Sequence, residues 1–163
     1  MTRIINTIKL NKKIAYLQKL KSLNKESGFI INSLDNILND FIGHKLFTIL
    51  KFDKINSNLE RVYTSKPREY PLQGKKDVIR NFWQVQVLEK GIAYIGYNFQ
   101  DIKTSFSDFD LIKKLGCSSV LIIPVKSGDN IKGSVNLLHE VSWYSDYDVK
   151  IAQSLISVIS EAL

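Results

Sequence analysis

The sequence predicts an α+β domain, because its hydrophobic period changes twice and helix-forming segments flank a strand-rich middle. Apolar residues step by three and four up to about residue 43 and again from about residue 145. Between them lie short runs rich in aromatic and β-branched residues, the clearest being the hairpin Cys117 to Val125 and Asn130 to His139.

From the N-terminus, Leu10, Ile14, Leu17 and Leu20 recur at helical spacing with lysines between them, which predicts an amphipathic helix over residues 4 to 23 with a basic outer face. After a break at Asn24 to Gly28, the residues Ile30, Leu34, Ile37, Leu38 and Phe41 predict a second helix that Gly43 terminates. His44 to Phe52 and Leu59 to Ser65 then read as two antiparallel strands around a polar turn at 53 to 58. Beyond Pro67 and Pro71, Val78, Ile79, Phe82 and Trp83 share a face of a third helix over Lys76 to Leu88. A short strand is expected at Ile92 to Tyr97, then a polar loop, then a brief helix from about Asp108 to Leu115 closed by Gly116. The hairpin at 117 to 139 turns at Lys126 to Asp129, and Ser145 with Asp148 forms a capping box that opens the last helix, through Leu155, Ile159 and Ala162.

With 163 residues, 44% of them hydrophobic, the chain has the material for one core without disulfides or metal. Its single cysteine, Cys117, allows no internal disulfide, so a cytoplasmic setting is expected. No run approaches the roughly 18 apolar residues that cross a bilayer, and the N-terminus lacks the pattern of a signal peptide. The net charge of +7 is confined to one place. Seven basic residues precede the first acid, Glu26, leaving 16 basic against 16 acidic residues in the rest of the chain. The division expected is a basic helix at 1–27 followed by a folded domain at 28–163.

The segment Leu115-Gly116-Cys117-Ser118-Ser119 through Pro124-Val125, followed by Ile131-Lys132-Gly133-Ser134 through His139, resembles the last two core strands of GAF domains. Tyr63-Thr64-Ser65, Tyr70-Pro71-Leu72, Trp83 and Trp143-Tyr144 extend the resemblance over residues 28 to 163, with small stand-alone bacterial members most similar. The resemblance implies a central antiparallel sheet of five to six strands with the N- and C-terminal helices on one face. On the other face it implies a ligand pocket under the Trp83 helix and its loops, and it implies a homodimer through the end helices. The residue sets of cyclic-nucleotide-binding, bilin-binding and methionine-sulfoxide-reducing members do not occur in this sequence.

Strand alternation supplies candidate ligand-binding residues. If Val125 pairs near Ile131, then Ser118, Val120 and Ile122 share a face with Ser134, Asn136 and Leu138, and the polar members face the pocket. Asn136 needs partners for its amide, from a ligand or from a nearby loop backbone. Trp83 and Phe106 are candidate walls or core residues, and Tyr63 and Ser65, two apart on one strand, are further candidates.

The same pairing sets Cys117 opposite His139, the arrangement a thiol or redox enzyme would use. A strand interior offers no exposed, electropositive setting, so a buried structural cysteine is expected instead. No metal site is expected, because His44 and His139 are the only histidines and zinc needs three or four ligands. Asp101, Asp108 and Asp110 do not follow a calcium-loop spacing, and Asp108 and Asp110 suit a helix N-terminus. The basic first helix could meet phosphates or an anionic membrane, but a solvated face packed on its neighbour or on a second subunit accounts for it without them. The function expected is a non-catalytic, small-molecule-binding signalling module that acts through a separate partner and carries no resident cofactor. Nucleic acid is not expected among its partners.

Overall fold

The computed structural model describes residues 6 to 163 of the chain. The predicted start of the first helix at residue 4 lies outside the described residues. Helix α1 spans Thr7–Ser22, with the Asn6 side chain accepting from Lys9 N, and α2 spans Ser27–Phe41. Gly43, at φ +92°, ends α2 by sending its N–H back to the Leu38 carbonyl, a conformation that suits a residue without Cβ.

A six-stranded, wholly antiparallel sheet follows, built from β1 (Leu46–Asp53), β2 (Asn58–Thr64), β3 (Lys76–Asp77), β4 (Tyr94–Gly96), β5 (Ser119–Ser127) and β6 (Asn130–His139). Their spatial order is β3-β2-β1-β6-β5-β4. Between the strands come α3 (Phe82–Gln84, continuing as a wider π turn over Val85–Glu89), α4 (Phe99–Ser105) and α5 (Phe109–Lys114). Helix α6 runs over Asp146–Ile156 and tightens into a 3-10 turn over Ser157–Ala162. The architecture is the α+β arrangement read from the sequence.

Two apolar cores lie on opposite faces of the sheet, sorted by strand alternation. On one face Phe47, Ile49, Leu121, Ile123, Val135 and Leu137 meet Leu17 and Leu20 of α1, Leu34 and Leu38 of α2, and Leu155 and Ile159 at the C-terminal end. Helix α1 therefore packs into the same core as the elements that follow it. On the other face Leu46, Val120, Ile122 and Leu138 meet Trp83, Val87 and Leu88 of α3, Ile102 of α4 and Ile112 of α5.

Three local readings need correction. The expected helix over Lys76 to Leu88 begins only at Phe82: residues 76 and 77 pair as an edge strand, and Arg80 takes φ +52°, which no helix tolerates. Asn81 is the true N-cap, its side chain accepting from Gln84 N while Gln84 Oε1 accepts back from Asn81 N. The polar stretch before Asp108 contains α4, capped by Asn98, whose side chain accepts from Asp101 N.

The β5–β6 register is also two residues from the expected one. Val125 faces Gly133 rather than Ile131, and the turn has only Gly128 and Asp129 between the paired Ser127 and Asn130. A shift of two preserves which side chains share a face. It does place Ser119, not Cys117, opposite His139.

Candidate functional site

The sheet face beneath α3 carries a cavity of about 240 Å³. Thr48 and Leu50 of β1, Leu59 and Arg61 of β2, and Asn136 and Leu138 of β6 form its floor. Trp83 and Gln84 of α3, the Ser105–Asp108 segment and Ile112 of α5 form its roof, with Tyr70 at the β2 end. The roof is fixed to itself by hydrogen bonds. Trp83 Nε1 and Asn81 Nδ2 both donate to the Ser105 carbonyl, at 3.0 and 3.2 Å, and the Trp83 and Phe106 rings lie 6.0 Å apart.

An irregularity in β2 decides which side chains reach this cavity. Thr48 faces Thr64 and Ile49 faces Tyr63, but Leu50 faces Arg61, so Val62 is an extra residue bulged out of the ladder. Arg61 is thereby turned to the cavity face although Tyr63, two residues on, points to the helices. The Arg61 side chain is 8% exposed. Its Nη1 donates to the Pro71 carbonyl at 2.7 Å, its Nη2 to Asp108 Oδ2 at 3.2 Å, and its guanidinium lies 3.8 Å from the Tyr70 ring centre. Nε of Arg61 is buried and has no hydrogen-bond partner. Burial raises the Tyr70 phenol well above its usual range, with the Asp108 carboxylate adding to the effect and Arg61 opposing it.

Of the sequence candidates, Trp83, Phe106 and Asn136 line the cavity together. The loop-backbone partner considered for Asn136 is not what the structure supplies. Ser134, fully buried beside the cavity, donates its hydroxyl to Asn136 Oδ1 at 2.9 Å and so occupies the acceptor end of the amide. Ser118 precedes β5, is half-buried, and bonds through its N–H to the His139 carbonyl, away from the cavity.

Tyr63 and Ser65 sit elsewhere. Because of the bulge, Tyr63 packs on Phe47 with ring centres 5.2 Å apart and donates to Asp35 Oδ2 of α2 at 2.5 Å. Ser65 Oγ accepts from Phe47 N and borders an open depression with Asp35 and His44, whose Nε2 is 2.7 Å from Asp35 Oδ1. Thr48, Arg61, Tyr70 and Asp108 are cavity residues that the sequence reading did not place there. Thr48 was legible, since it stands two residues from Leu46 and Leu50 on an alternating strand. Arg61 was not, because the bulge carries no single-residue signature.

Cys117 is fully buried in the cavity-side core, its N–H bonding to the Ile112 carbonyl. Burial pushes its thiol up to about 11, with Lys45 and Lys66 pulling slightly the other way. His139 instead stacks on Trp143 with ring centroids 3.6 Å apart, so no cysteine–histidine pair forms. Among the described residues, no group of three or more His, Cys, Asp and Glu side chains is placed to hold a metal ion. No helix among them is long and apolar enough to cross a membrane.

The order of elements, the antiparallel sheet with terminal helices on one face, and the roofed cavity on the other match solved GAF domains over nearly the whole chain. The phycocyanobilin-bound GAF domain of a cyanobacterial phytochrome superposes with a TM-score of 0.72 at 14% identity, covering 98% of this chain and 94% of that one. The chain has the GAF-domain fold. Residues 122 to 287 of a methyl-accepting chemotaxis protein match this GAF fold with a TM-score of 0.65 at 17% identity, covering 92% and 93% of the two chains. A GAF domain/HD domain protein from Geobacter sulfurreducens matches at 0.68 and 12% identity over 85% and 92%. No family model and no curated protein matches the sequence.

Proposed function

We propose that this GAF-fold chain is a non-catalytic sensory module of a bacterial cytoplasm, which binds a small molecule in the cavity between the sheet and α3. It works as a homodimer through its end helices and passes occupancy to a separate signalling protein. Sensor kinases, phytochromes and a chemotaxis protein among the similar structures support the sensory part of this reading.

The observation that carries it is polar groups held at a roofed cavity without protein partners. Arg61 Nε is orphaned, and the Thr48 hydroxyl and Asn136 Nδ2 take no hydrogen bond from the described residues. A small molecule in the cavity would offer hydrogen-bond partners to the Thr48 hydroxyl and the Asn136 amide nitrogen, both on residues that line it. Catalysis through Cys117 gains no support, since a protonated, fully buried thiol lacks the thiolate character a nucleophile requires.

Native mass spectrometry of freshly purified protein, with a denatured sample beside it, tests the proposal. A stoichiometric small molecule released on denaturation is the expected result. A clean protein mass, with no binding from a metabolite extract, counts against it.

A further inference from the structure

The charges that line the cavity answer one another. Arg61 and Asp108 meet at 3.2 Å, Tyr70 adds a hydrogen bond to Asp108, and the Pro71 carbonyl takes Arg61 Nη1. Nε of Arg61, though unpaired, has no surface open to the cavity. At the mouth Lys76 and Asp77 are again opposite in sign, so the lining as a whole is neutral. What it offers a ligand is a set of uncharged groups. Gln84 Oε1 accepts from Ile79 N at 3.0 Å and from Asn81 N at 3.4 Å, and Asn136 Oδ1 accepts from Ser134 at 2.9 Å. Both amides thus have their acceptor ends filled, and their NH2 ends take no partner among the described residues. Thr48, which faces Asn136 across the β1–β6 ladder, brings a hydroxyl that is unbonded in the same sense. Gln84, Asn136 and Thr48 are 7%, 2% and 3% exposed, and all three line the cavity, Gln84 from the roof and the other two from the floor.

Resting on the proposal that the cavity is a small-molecule site, we infer that its ligand is an uncharged ring compound whose edge carries hydrogen-bond acceptors, carbonyl oxygens or ring nitrogens. The two amide NH2 groups turn the positive ends of their dipoles to the ligand, which disfavours a cation. An anion would find donors but no unmatched positive charge, and burying a charge without a counter-charge is costly. A neutral acceptor avoids both penalties and satisfies donors that burial otherwise leaves unpaired. Thr48 and Asn136 stand opposite each other on neighbouring strands, where Cβ atoms lie about 5 Å apart. Acceptors set a similar distance apart on one ring can therefore meet both. The ring follows from the walls, because Trp83 and Phe106 above and Leu50 and Leu138 below enclose an apolar slot. At about 30 Å³ per water, the cavity of about 240 Å³ holds the equivalent of about eight waters, room for a single ring or a fused pair.

The test compares neutral acceptors with charged and acceptor-free rings of similar size on the full chain. N-methylphthalimide, caffeine and nicotinamide are the uncharged acceptors. Indane lacks acceptors, isoindoline is a cation at neutral pH, and phthalate is an anion. The readout is the nitrogen-15 NMR shift of the Gln84 and Asn136 side-chain NH2 groups and of the Trp83 indole N–H. At least one neutral acceptor is expected to move all three signals and to bind at least tenfold more tightly than indane, isoindoline or phthalate. Thr48→Val, which keeps the shape and removes the hydroxyl, is expected to weaken that probe at least threefold while the rest of the spectrum stays folded. Thr48→Ser is expected to restore it.

Indane, isoindoline or phthalate binding as tightly as the best neutral acceptor overturns the inference and leaves small-molecule binding standing. Unchanged binding in Thr48→Val, or a molecule charged at neutral pH released from the native protein, does the same. Silence from the three neutral probes overturns the inference, and with silence from the other probes and a clean native mass it overturns small-molecule binding as well.

Discussion

Burial holds the Cys117 thiol protonated up to about pH 11, against 9.0 for the same group in water. Between those values the unfolded chain has released a proton that the folded chain retains, so stability is whole below about pH 9 and falls as the pH rises through that window. The loss by pH 10.5 is on the order of 2 kcal/mol, because each tenfold difference in proton affinity between the folded and unfolded chain is worth about 1.4 kcal/mol. Denaturant melts at pH 8 and pH 10.5 are expected to show that loss, and Cys117→Ala is expected to shrink it; an unchanged slope in the variant would sink the assignment. Iodoacetamide at pH 8 is expected to leave the native thiol unmodified and to label it once the protein unfolds. Residues of this kind were readable from the sequence, because an apolar run around Cys117 is enough to place it in a core. Trp83 and Asn136 were readable from helical and strand patterns, and Phe106 as an aromatic residue in an otherwise polar loop. Arg61 was hidden by a one-residue bulge, and Asp108 was seen as a helix-start residue without the partner that gives it a second role.

Elements were legible where periodicity was long and missed where capping chemistry decided them. The β5–β6 hairpin and the three longer helices carry enough repeats to fix their faces, whereas α4 has seven residues and is announced mainly by Asn98, and α3 starts at Asn81 after a residue at positive φ. The two-residue register difference came from the turn, and Gly133 shows why the observed register is enforced. It faces Val125 on one side and Lys51 on the other, and a Cβ there would collide with the Leu50 carbonyl oxygen. Gly133→Ala is expected to destabilise the protein by about 3 kcal/mol, since neither backbone can yield without breaking the β1–β6 ladder. A melting temperature within a degree of the parent would refute the close approach. The capping box of α6 is a smaller matter, with Ser145 N donating to Asp148 Oδ2 at 2.9 Å and Ser145 Oγ to the same oxygen at 3.1 Å. Asp148→Ala is expected to cost about 1 kcal/mol in urea unfolding, the usual value of a helix N-terminal cap.

Over the whole molecule, the charge asymmetry seen in the sequence is now attached to a surface. Leu17 and Leu20 turn α1 inward, while Ile8, Tyr16 and Leu23 are 71%, 43% and 57% exposed. At 100° per residue those three fall within an arc of about 80°, and Lys12 and Lys19 fall inside the same arc. The outer face of α1 is thus an apolar stripe studded with like charges, which two subunits and an acidic partner would use in opposite ways. If the stripes of two copies meet, as the proposed homodimer requires, the lysines repel across the interface and added salt tightens the dimer by screening them. An acidic partner, nucleic acid included, would be released by the same salt. Sedimentation equilibrium at about 50 mM and about 500 mM NaCl, a range over which the screening length falls from about 14 Å to about 4 Å, is expected to show a dimer whose dissociation constant drops several-fold. The triple variant Ile8→Gln, Tyr16→Gln, Leu23→Gln keeps the charge and the helix and is expected to sediment as a folded monomer. A parent that is monomeric at both salts, or a dimer unaffected by the three substitutions, would remove α1 as the dimer face and leave its stripe to a partner of opposite charge.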